Sequence, residues 1–541
     1  MYINPVDERN QTVDLTRYPY PANRRVVMGR RGAVATAQPL ASVVGLEMLL
    51  AGGNAVDAAV AMAIALTVLE PTANGLGSDA FALVWDGQLH GLNGSGRSPQ
   101  ALDITVFAGQ HMPQRGWQSV TVPGAVSAWQ ALWRRWGSLP FEQLCEPAIR
   151  YAERGYPVSP EVSRIWQAER EVYLSLRGRE YEAFKALFFA RDRAPKAGEI
   201  WGSPDQARSL RAIATSEGES FYRGKLADTI AAFSAATGGQ LAAVDLAAHR
   251  PDWVAPISST YRDLTVWELP PNGQGIAALM ALNILEGFEL ARYPRDSVES
   301  FHWQIEAMKL AFADAYRNVA ELQAMQVSAA QMLDKGYASD RRQSIGERAI
   351  QLPAAGLPAG GTVYLAAADG ELMVSFIQSN FANFGSGIVV PGTGIALQNR
   401  AAGFAIEPDH PNCAAPSKRP FHTIIPGFFS RDGRPLGPFG VMGKHMQPQG
   451  HVQVAVNIVD FGLNPQAALD APRWQVVEGN QVWLEQAVPQ HIALGLRDRG
   501  HDIAVEADPR SFGKGQTIFR ADNGVLIAAS EPRADGMAIA L

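Results

Sequence analysis

The sequence predicts a mixed α and β fold, with helices dominating the first part of the chain and strands the second. Apolar residues recur with a 3.6-residue period over much of the chain before residue 320, as in amphipathic helices. After residue 362, glycine, proline and asparagine punctuate short extended segments, as between short strands. The chain has 541 residues, 47% of them hydrophobic, so it is long enough to bury a large core or several.

The first predicted elements are two helices and a hairpin. Helical spacing runs from Pro39 to Leu50, the Gly52-Gly53 pair ends that helix, and Asn54 is placed to cap a second helix that reaches Leu69. An Asp-Gly turn then joins two predicted strands, a strong hairpin signal, at 81–85 and 88–93.

Predicted helices fill most of the next region, in four stretches at 129–135, 141–153, 160–190 and 203–236. A strand signal at 264–269 precedes a Pro- and Gly-rich turn, an Ala-rich helix and a strong helix over 302–316. Residues 341–361 show no sustained period, so we interpret them as an exposed linker. The strands that follow are predicted at 363–368 and 372–379.

Charge and composition exclude several classes of protein. The net charge is −6 without a basic tail or stripe, so nucleic acid is not an expected partner. The longest uncharged apolar run, Ala58 to Leu69, has 12 residues, short of the ~20 that span a bilayer, and no secretory signal is visible. We therefore expect a cytoplasmic protein without a membrane partner, acting on small molecules.

The sequence predicts neither a metal site nor a cofactor. Cys145 and Cys413 are the only cysteines, too few for a disulfide framework and too far apart in sequence for a typical zinc motif. The chain also lacks GxSxG, GxxxxGK[ST], HExxH and a complete dinucleotide loop. Any chemistry is therefore expected to come from ordinary side chains and backbone groups.

Thr362 is the residue whose local setting suggests chemistry. It follows Gly360-Gly361 at the end of the predicted linker and immediately precedes a strand, so cleavage before it would expose an N-terminal threonine on a rigid edge. Such a residue carries its own base, because an α-amine with a pKa near ~8 can take the hydroxyl proton. The same hydroxyl can first attack the carbonyl of Gly361, which has no side chain to block it. From the local pattern alone, an ordinary strand-starting threonine remains the alternative.

Short sequence blocks along nearly the whole chain resemble those of one enzyme family. They occur in order at 51–59 (AGGNAVDAA), 122–124 (VPG), 306–314 (EAMKLAFAD), 384–388 (FGSGI), 418–420 (KRP), 471–473 (APR) and 532–536 (PRADG). By these blocks the chain resembles the γ-glutamyltransferase (glutathione hydrolase) family of N-terminal-nucleophile hydrolases, close to its cephalosporin acylase branch. Each block alone is weak evidence, whereas the ordered series is strong.

The resemblance implies an α+β fold, namely the αββα sandwich of N-terminal-nucleophile hydrolases. It also implies a proenzyme that cleaves itself into a heavy segment, 1–361, and a light segment, 362–541, which stay associated. Both segments are then expected to form the sandwich jointly.

The resemblance also carries functional roles onto particular residues. The nucleophile falls on Thr362, released by autocleavage after Gly361, and the hydroxyl that supports the new amine falls on Ser379. The arginine that holds the substrate's α-carboxylate falls on Arg97, where a guanidinium fork suits a carboxylate. A surface ion pair is the alternative reading of Arg97.

Two further pairs of residues occupy family positions with changed chemistry. The adjacent glycines of the oxyanion hole correspond to Gly443 and Lys444, whose backbone N–H groups can still stabilise an oxyanion. The lysine side chain is a departure that narrows the pocket or adds charge. His422 and Thr423 stand where the family has paired serines near the α-carboxylate.

The main functional prediction is a γ-glutamyl amide hydrolase or transferase acting on a compound such as glutathione. Gly403 stands where transferases of the family carry an acid for the donor's ammonium, so Gly403→Asp is expected to favour γ-glutamyl donors unless His422 and Arg400 have rebuilt the pocket. A glutaryl or other dicarboxylic acylase of the cephalosporin type is the alternative, because its acyl group has a carboxylate and no amine. An uncleaved, non-catalytic binding homologue is a third possibility.

Overall fold

The computed structural model describes residues 14, 18–21, 24–107, 112–351 and 361–541. Two seven-stranded sheets form its centre, and every neighbouring pair of strands within them is antiparallel. The first sheet has the order β1 (Val27–Gly29), β20 (Leu526–Ser530), β19 (Lys514–Arg520), β15 (Arg434–Met442), β14 (Gly427–Arg431), β9 (Leu264–Glu268) and β8 (Ile257–Tyr261). The second has the order β21 (Met537–Ala540), β2 (Gly32–Thr36), β10 (Val363–Asp369), β11 (Met373–Ser379), β3 (Asp79–Trp85), β4 (Leu89–Asn93) and β7 (Asp252–Val254).

Three short sheets complete the β structure of the described residues. They consist of β5 (Tyr156–Pro157) with β6 (Ile200–Trp201), β12 (Val389–Val390) with β13 (Ile395–Ala396), and β16 (Trp474–Glu478), β17 (Gln481–Glu485) and β18 (Asp502–Glu506).

The helices pack outside the two large sheets. Those before Thr362 are α1 (Pro39–Leu50), α2 (Ala55–Leu69), α3 (Ala125–Trp136), α4 (Phe141–Arg154), α5 (Pro160–Ser175), α6 (Glu182–Phe188), α7 (Pro204–Thr215), α8 (Glu219–Arg223), α9 (Lys225–Ala236), α10 (Ala243–Ala248), α11 (Gly275–Leu285), α12 (Val298–Asn318), α13 (Ala329–Met332) and α14 (Lys335–Arg342). Those after it are α15 (Met446–Val459), α16 (Pro465–Asp470) and α17 (Gln490–Asp498).

Alternating side chains along the strands divide the apolar core into layers. Ala33 and Ala35 of β2 pack between the two sheets, whereas Val34 packs against the helices outside, as the two-residue period of a strand requires. α1 and α2 cover the outer face of the second sheet, and α11, α12 and α15 cover that of the first. The resulting order of layers is helix, sheet, sheet, helix, which confirms the predicted α+β sandwich.

The chain on either side of Thr362 contributes to both sheets. In the second sheet, β10 and β11 lie between β2 and β3, so strands that follow Thr362 fill the middle of a sheet whose other inner strands precede it. The backbone hydrogen bonds across these borders would hold two chains together after a cut. The boundary between heavy segment 1–361 and light segment 362–541 itself stays a prediction.

Several predicted elements are confirmed and three are wrong in detail. Both opening helices, the hairpin β3–β4 and the strand pair β10–β11 form as expected, and Asn54 caps α2 by accepting hydrogen bonds from the N–H groups of Val56 and Asp57. The predicted helix at 160–190 is interrupted after Ser175, where Gly178 has a φ of 129°. The stretch at 203–236 forms three helices, separated at Gly218 and Gly224. Of the predicted linker, 341–342 belong to α14 and 352–360 lie outside the described residues.

The apolar run from Ala58 to Leu69 lies in the interior of the protein. It belongs to α2, in which every residue is buried. Within the described ranges, no helix has both the length and the apolar character that crossing a membrane requires.

A buried polar cluster on α12 holds the chain just before the undescribed segment. Ligand atoms of His302, Glu306 and His501 lie within 4.8 Å of one another, a grouping that the sequence analysis did not single out. Lys309 Nζ lies 2.8 Å from Glu306 Oε1 and so already supplies a positive charge, while Glu306 Oε2 accepts a hydrogen bond of 2.8 Å from Ile350 N. The cluster is therefore explained as an anchor of the chain near residue 350.

Candidate active site

Thr362 and Ser379 lie opposite each other at the ends of two paired strands. The register of β10 and β11 places Val363 against Gln378, and one further step brings Thr362 to Ser379. Both residues are fully buried, and their hydroxyl oxygens, Oγ1 and Oγ, are 3.0 Å apart. The two hydroxyl groups assigned to nucleophile and support are thus in direct contact.

Ser379 also contacts the peptide bond that would be cleaved. Its hydroxyl donates a hydrogen bond of 3.1 Å to the carbonyl oxygen of Gly361 and accepts one of 2.8 Å from the N–H of Phe381. A serine hydroxyl has a single proton. Because Ser379 donates that proton in its hydrogen bond to Gly361, the hydroxyl of Thr362 is the donor in the hydrogen bond between the two hydroxyl groups. The arrangement polarises the Gly361 carbonyl and offers the Thr362 proton a route away from its oxygen.

A side chain at Gly361 would collide with the amide of Asn383. A Cβ atom there would lie 2.3 Å from Oδ1 of Asn383, far inside contact distance. Asn383 is itself held by Glu169, whose Oε1 accepts a hydrogen bond of 2.6 Å from Nδ2. A larger residue at the predicted cleavage position would therefore have to displace the Asn383 amide from its contact with Glu169.

A cavity of about 380 Å³ adjoins Gly361 and contains groups of both charges. Its walls include backbone at Gly361 and Gly443, the carboxylate of Glu169 and the cation of Lys514. A cavity of this size, next to a cleavable peptide bond, is a reasonable substrate site.

Gly443 and Lys444 form a strained turn immediately before α15. Gly443 has a φ of 143° and Lys444 a φ of 51°, and a non-glycine residue in the left-handed region is uncommon. Gln274 holds this turn, since its Nε2 donates hydrogen bonds of 2.7 Å to the carbonyl oxygens of Thr423 and Lys444. The predicted oxyanion residues thus lie at the N-terminus of a helix, where the backbone favours negative charge.

Lys444 and Arg400 bring two cations to one aromatic ring. The Nζ atom of Lys444 lies 4.6 Å from the centroid of Phe381, and the Cζ atom of Arg400 lies 4.5 Å from it. Burial, followed by the nearby charges of Arg115 and Arg400, lowers the pKa of Lys444 to about 7, although the Glu169 charge opposes the shift. The backbone N–H of Phe381 binds Ser379, and Asp79, which Arg400 contacts, pairs with Ser379 in the register of β3 and β11.

His422 and Thr423 are brought together with Arg400 around a buried carboxylate. Nε2 of His422 lies 3.1 Å from Oδ2 of Asp79, and Nε of Arg400 lies 3.4 Å from the same oxygen. The Nη1 group of Arg400 donates a hydrogen bond of 2.9 Å to Oγ1 of Thr423. Burial raises the pKa of Asp79 to about 7, although the Arg400 charge opposes the shift, and burial lowers the pKa of His422 far below its usual value.

Arg97 lies in a different setting from the other predicted site residues. It forms an ion pair with Glu321, donates a hydrogen bond of 3.0 Å to the carbonyl oxygen of Ser417, and has 42% of its side chain exposed. It lines a second cavity of about 200 Å³, together with Arg250 and Arg419. The structure does not bring its guanidinium into the cavity beside Gly361, and its carboxylate-binding role stays a prediction.

Gly403 has a steric role that the sequence did not reveal. A Cβ atom there would lie 2.7 Å from the carbonyl oxygen of Phe421, although the glycine does not have a positive φ. An aspartate at 403 therefore requires a backbone shift, and Gly403→Asp is not a clean test of donor specificity.

Sequence reasoning missed several residues that position this site, namely Asp79, Glu169, Gln274 and Asn383, and did not assign a role to Arg400. Gln274 belongs to the Pro-Pro-Asn-Gly-Gln-Gly turn, which was noted only as a turn. None of them carries a recognisable motif, because each acts through contacts between segments far apart in sequence.

Comparisons with known proteins identify the family of this chain. A family model described as gamma-glutamyltranspeptidase matches residues 41–541. A glutathione hydrolase-like YwrD proenzyme of Bacillus subtilis is 36% identical over 95% of this chain and 99% of its own, and an oxamate amidohydrolase proenzyme of Klebsiella pneumoniae is 33% identical over 94% and 98%. The crystal structure of a cephalosporin acylase from Bacillus halodurans shares 54% identity with a TM-score of 0.93, covering 98% of this chain and 99% of that one.

Proposed function

Because this chain belongs to the gamma-glutamyltranspeptidase family, we propose that it cleaves itself between Gly361 and Thr362 and then hydrolyses amides through an acyl-enzyme on Thr362. The observation that carries this proposal is the contact of Ser379 with both Thr362 Oγ1 and the Gly361 carbonyl oxygen. An ordinary strand-starting threonine needs neither contact.

Self-cleavage begins with attack by the Thr362 oxygen on the carbonyl carbon of Gly361. The Thr362 proton passes to Ser379, whose own proton goes to the former carbonyl oxygen. When this tetrahedral species collapses, the proton on the former carbonyl oxygen returns to Ser379 and the C–N bond breaks. Ser379 passes a proton to the Thr362 nitrogen, which leaves an ester between Gly361 and Thr362. Water then hydrolyses the ester, giving a Gly361 carboxylate and a free Thr362 with both hydroxyl and α-amine.

Turnover uses the new amine as the base. The amine takes the hydroxyl proton while Oγ1 attacks the donor amide, and the backbone N–H groups of Gly443 and Lys444 stabilise the resulting oxyanion. The leaving amine departs with a proton from the ammonium, and water hydrolyses the acyl ester. An amine in place of water would give transfer instead of hydrolysis.

The proposed acyl donors are small amides that carry a second, free carboxylate. γ-Glutamyl amides such as glutathione are one such class, and glutaryl-type dicarboxylic amides are the other. The second class is the better match, because Gly403 supplies no acid for an ammonium. Arg400 and Lys444 instead supply positive charge over the ring of Phe381, the residue whose backbone N–H binds Ser379. The relatives' names, which include both a glutathione hydrolase-like protein and a cephalosporin acylase, are compatible with either class. The cytoplasm remains our proposed compartment.

A comparison of two chromogenic donors tests the donor class. Autoprocessed wild type should show a higher kcat/KM for glutaryl p-nitroanilide than for γ-glutamyl p-nitroanilide, because only the latter brings an ammonium that lacks its acidic partner. The two compounds share the same leaving group and acyl length, so each serves as the control for the other. A preference for the γ-glutamyl compound would contradict the dicarboxylic assignment and restore the glutathione-type one.

The preference for a carboxylate should weaken as the pH rises through about 7. The pKa of Lys444 is lowered to about 7, so its ammonium is present below that pH and lost above it. Asp79, with a pKa raised to about 7, gains negative charge over the same range and acts in the same direction. Arg400, with a pKa lowered to about 10, keeps its charge over that range, and Arg115 and Glu169 are the other charged residues near Lys444.

The measurement is the ratio of kcat/KM for glutaryl and neutral 4-carbamoylbutanoyl p-nitroanilides between pH 5.5 and 9, a range chosen to bracket the neutral region at about 7. Titration of the Thr362 amine affects both donors and cancels in the ratio. In Lys444→Met, the ratio should depend less on pH, and the remaining dependence should be the part that Asp79 contributes. A ratio that is constant with pH, or that rises, would show that Lys444 does not face the donor.

A further inference from the structure

Arg400 is buried, and part of its guanidinium has no hydrogen-bond partner among the described residues. The residue has no exposed surface, its Nη1 group donates to Thr423, and its Nε atom lies beside Asp79. Its Nη2 group has no hydrogen-bond partner among the described residues. Buried polar groups are almost always paired, so an unpaired cationic donor calls for a ligand.

We propose that Arg400 is the residue that recognises the free carboxylate of the acyl donor, with Nη2 as its donor group. This inference rests on the proposed hydrolysis through Thr362 and names the residue that selects the substrate. A guanidinium edge suits a carboxylate because its N–H groups match the two oxygens.

The position of Arg400 connects it to the reacting hydroxyl groups. Its Cζ atom lies 4.5 Å from the Phe381 ring centroid, and the N–H of Phe381 binds Ser379 Oγ at 2.8 Å. Arg400 and Thr362 are both inaccessible in the uncleaved chain. The nucleophile must be uncovered before any donor can react, and we assign that step to release of the Gly361 end by self-cleavage.

The surrounding charges favour an anion over an ammonium. Asp79 is the carboxylate paired with Arg400, and burial raises its pKa, which weakens its ability to neutralise the guanidinium. His422 is kept neutral because burial lowers its pKa. Lys444 adds a second cation over the same Phe381 ring. The preferred ligand is therefore a carboxylate without an adjacent ammonium, as in a dicarboxylic acyl group.

Arg97 is less suited to this task in the described chain. Its guanidinium is already paired with Glu321 and Ser417, whereas the Nη2 group of Arg400 has no partner among the described residues. Assigning carboxylate recognition to Arg400 and assigning it to Arg97 therefore predict opposite outcomes for the same experiment.

The experiment compares glutaryl p-nitroanilide with its neutral 4-carbamoylbutanoyl analogue in full-length, autoprocessed protein. Arg400→Gln should lower kcat/KM for the glutaryl donor by about 10- to 100-fold, as loss of a hydrogen bond between charged groups does. For the neutral donor, kcat/KM should change by less than about threefold. Arg400→Lys should fall between, because the charge remains and the fork is lost. Asp79→Asn should raise the preference for the glutaryl donor, since it removes the competing carboxylate.

Arg473 provides a matched control, because it is equally buried and paired with Glu531. Arg473→Gln should leave the ratio between the two donors unchanged even if both rates fall. The inference is overturned if Arg400→Gln lowers kcat/KM equally for the two donors. It is also overturned if Arg97→Gln removes the preference for the glutaryl donor while Arg400→Gln retains it. If Arg400→Gln fails to fold, the opposite shifts expected for Arg400→Lys and Asp79→Asn decide the matter. Failure of the proposed function is a separate result, namely wild type that stays uncleaved or hydrolyses neither donor.

Discussion

Thr362→Ala should remain a single chain of 541 residues and hydrolyse no donor. Both self-cleavage and turnover require the hydroxyl oxygen as nucleophile, and alanine leaves Ser379 with no partner from which to take a proton. Denaturing electrophoresis gives the cleavage state, and p-nitroanilide release gives the activity. The expected effect is complete, because the variant lacks the atom that forms the acyl bond.

Thr362→Ser is the matched control for that variant. It should cleave slowly and regain part of the activity, because it keeps the hydroxyl and loses only the methyl group that restricts its rotamer. Detection in Thr362→Ala of a fragment beginning at residue 362 would contradict the assignment, as would hydrolysis at the wild-type rate.

Ser379→Ala should slow self-cleavage by about 10²- to 10³-fold, the effect of removing one donor to a developing oxyanion. The variant loses the hydrogen bond to the Gly361 carbonyl oxygen and the acceptor for the Thr362 proton. Turnover in the fraction that does cleave should also fall, because the new amine loses its supporting hydroxyl. A time course of light-segment formation after purification measures the first effect.

Ser375 is the control that the same strand provides. It is also a buried serine of β11, and its hydroxyl contacts Tyr364 at 2.8 Å rather than Thr362. Ser375→Ala should cleave at close to the wild-type rate. Equal slowing of the two variants would mean that Ser379 acts only through the packing of β11.

Thr362 and Ser379 were assigned to the site through the family resemblance, and the structure shows that their contact depends on local structure. The two strands are joined by the Asp369-Gly370 turn, so their register follows from a short hairpin, and the structure forms β10 and β11 where the residue pattern indicates. Gly361 was assigned through the same resemblance, because the local pattern alone left an ordinary strand-starting threonine as the alternative. The helix breaks near Gly178 and Gly218 were missed because the apolar period continues through both glycines. Their backbones, which have positive φ angles, do not continue the helix.

The environment of Arg400 could not be predicted in the same way. It depends on contacts between residues as far apart in sequence as Asp79 and His422, which are separated by 343 positions, and no local pattern specifies such packing. The same reason explains Arg97, whose Glu321 partner comes from a distant loop after α12. A resemblance in sequence gives the position of a charged residue along the chain, whereas its partners determine whether it is available to a substrate.

N-terminal sequencing and intact mass of the small fragment in active wild-type protein test the central claim most directly. The account predicts a fragment of 180 residues, Thr362–Leu541, with a free α-amine, appearing as activity appears. After a brief reaction with glutaryl p-nitroanilide and acid quenching, this fragment should carry one glutaryl group on Thr362. Full activity in an uncleaved chain, or an acyl group on a fragment that begins at another residue, would contradict Thr362 as the N-terminal nucleophile.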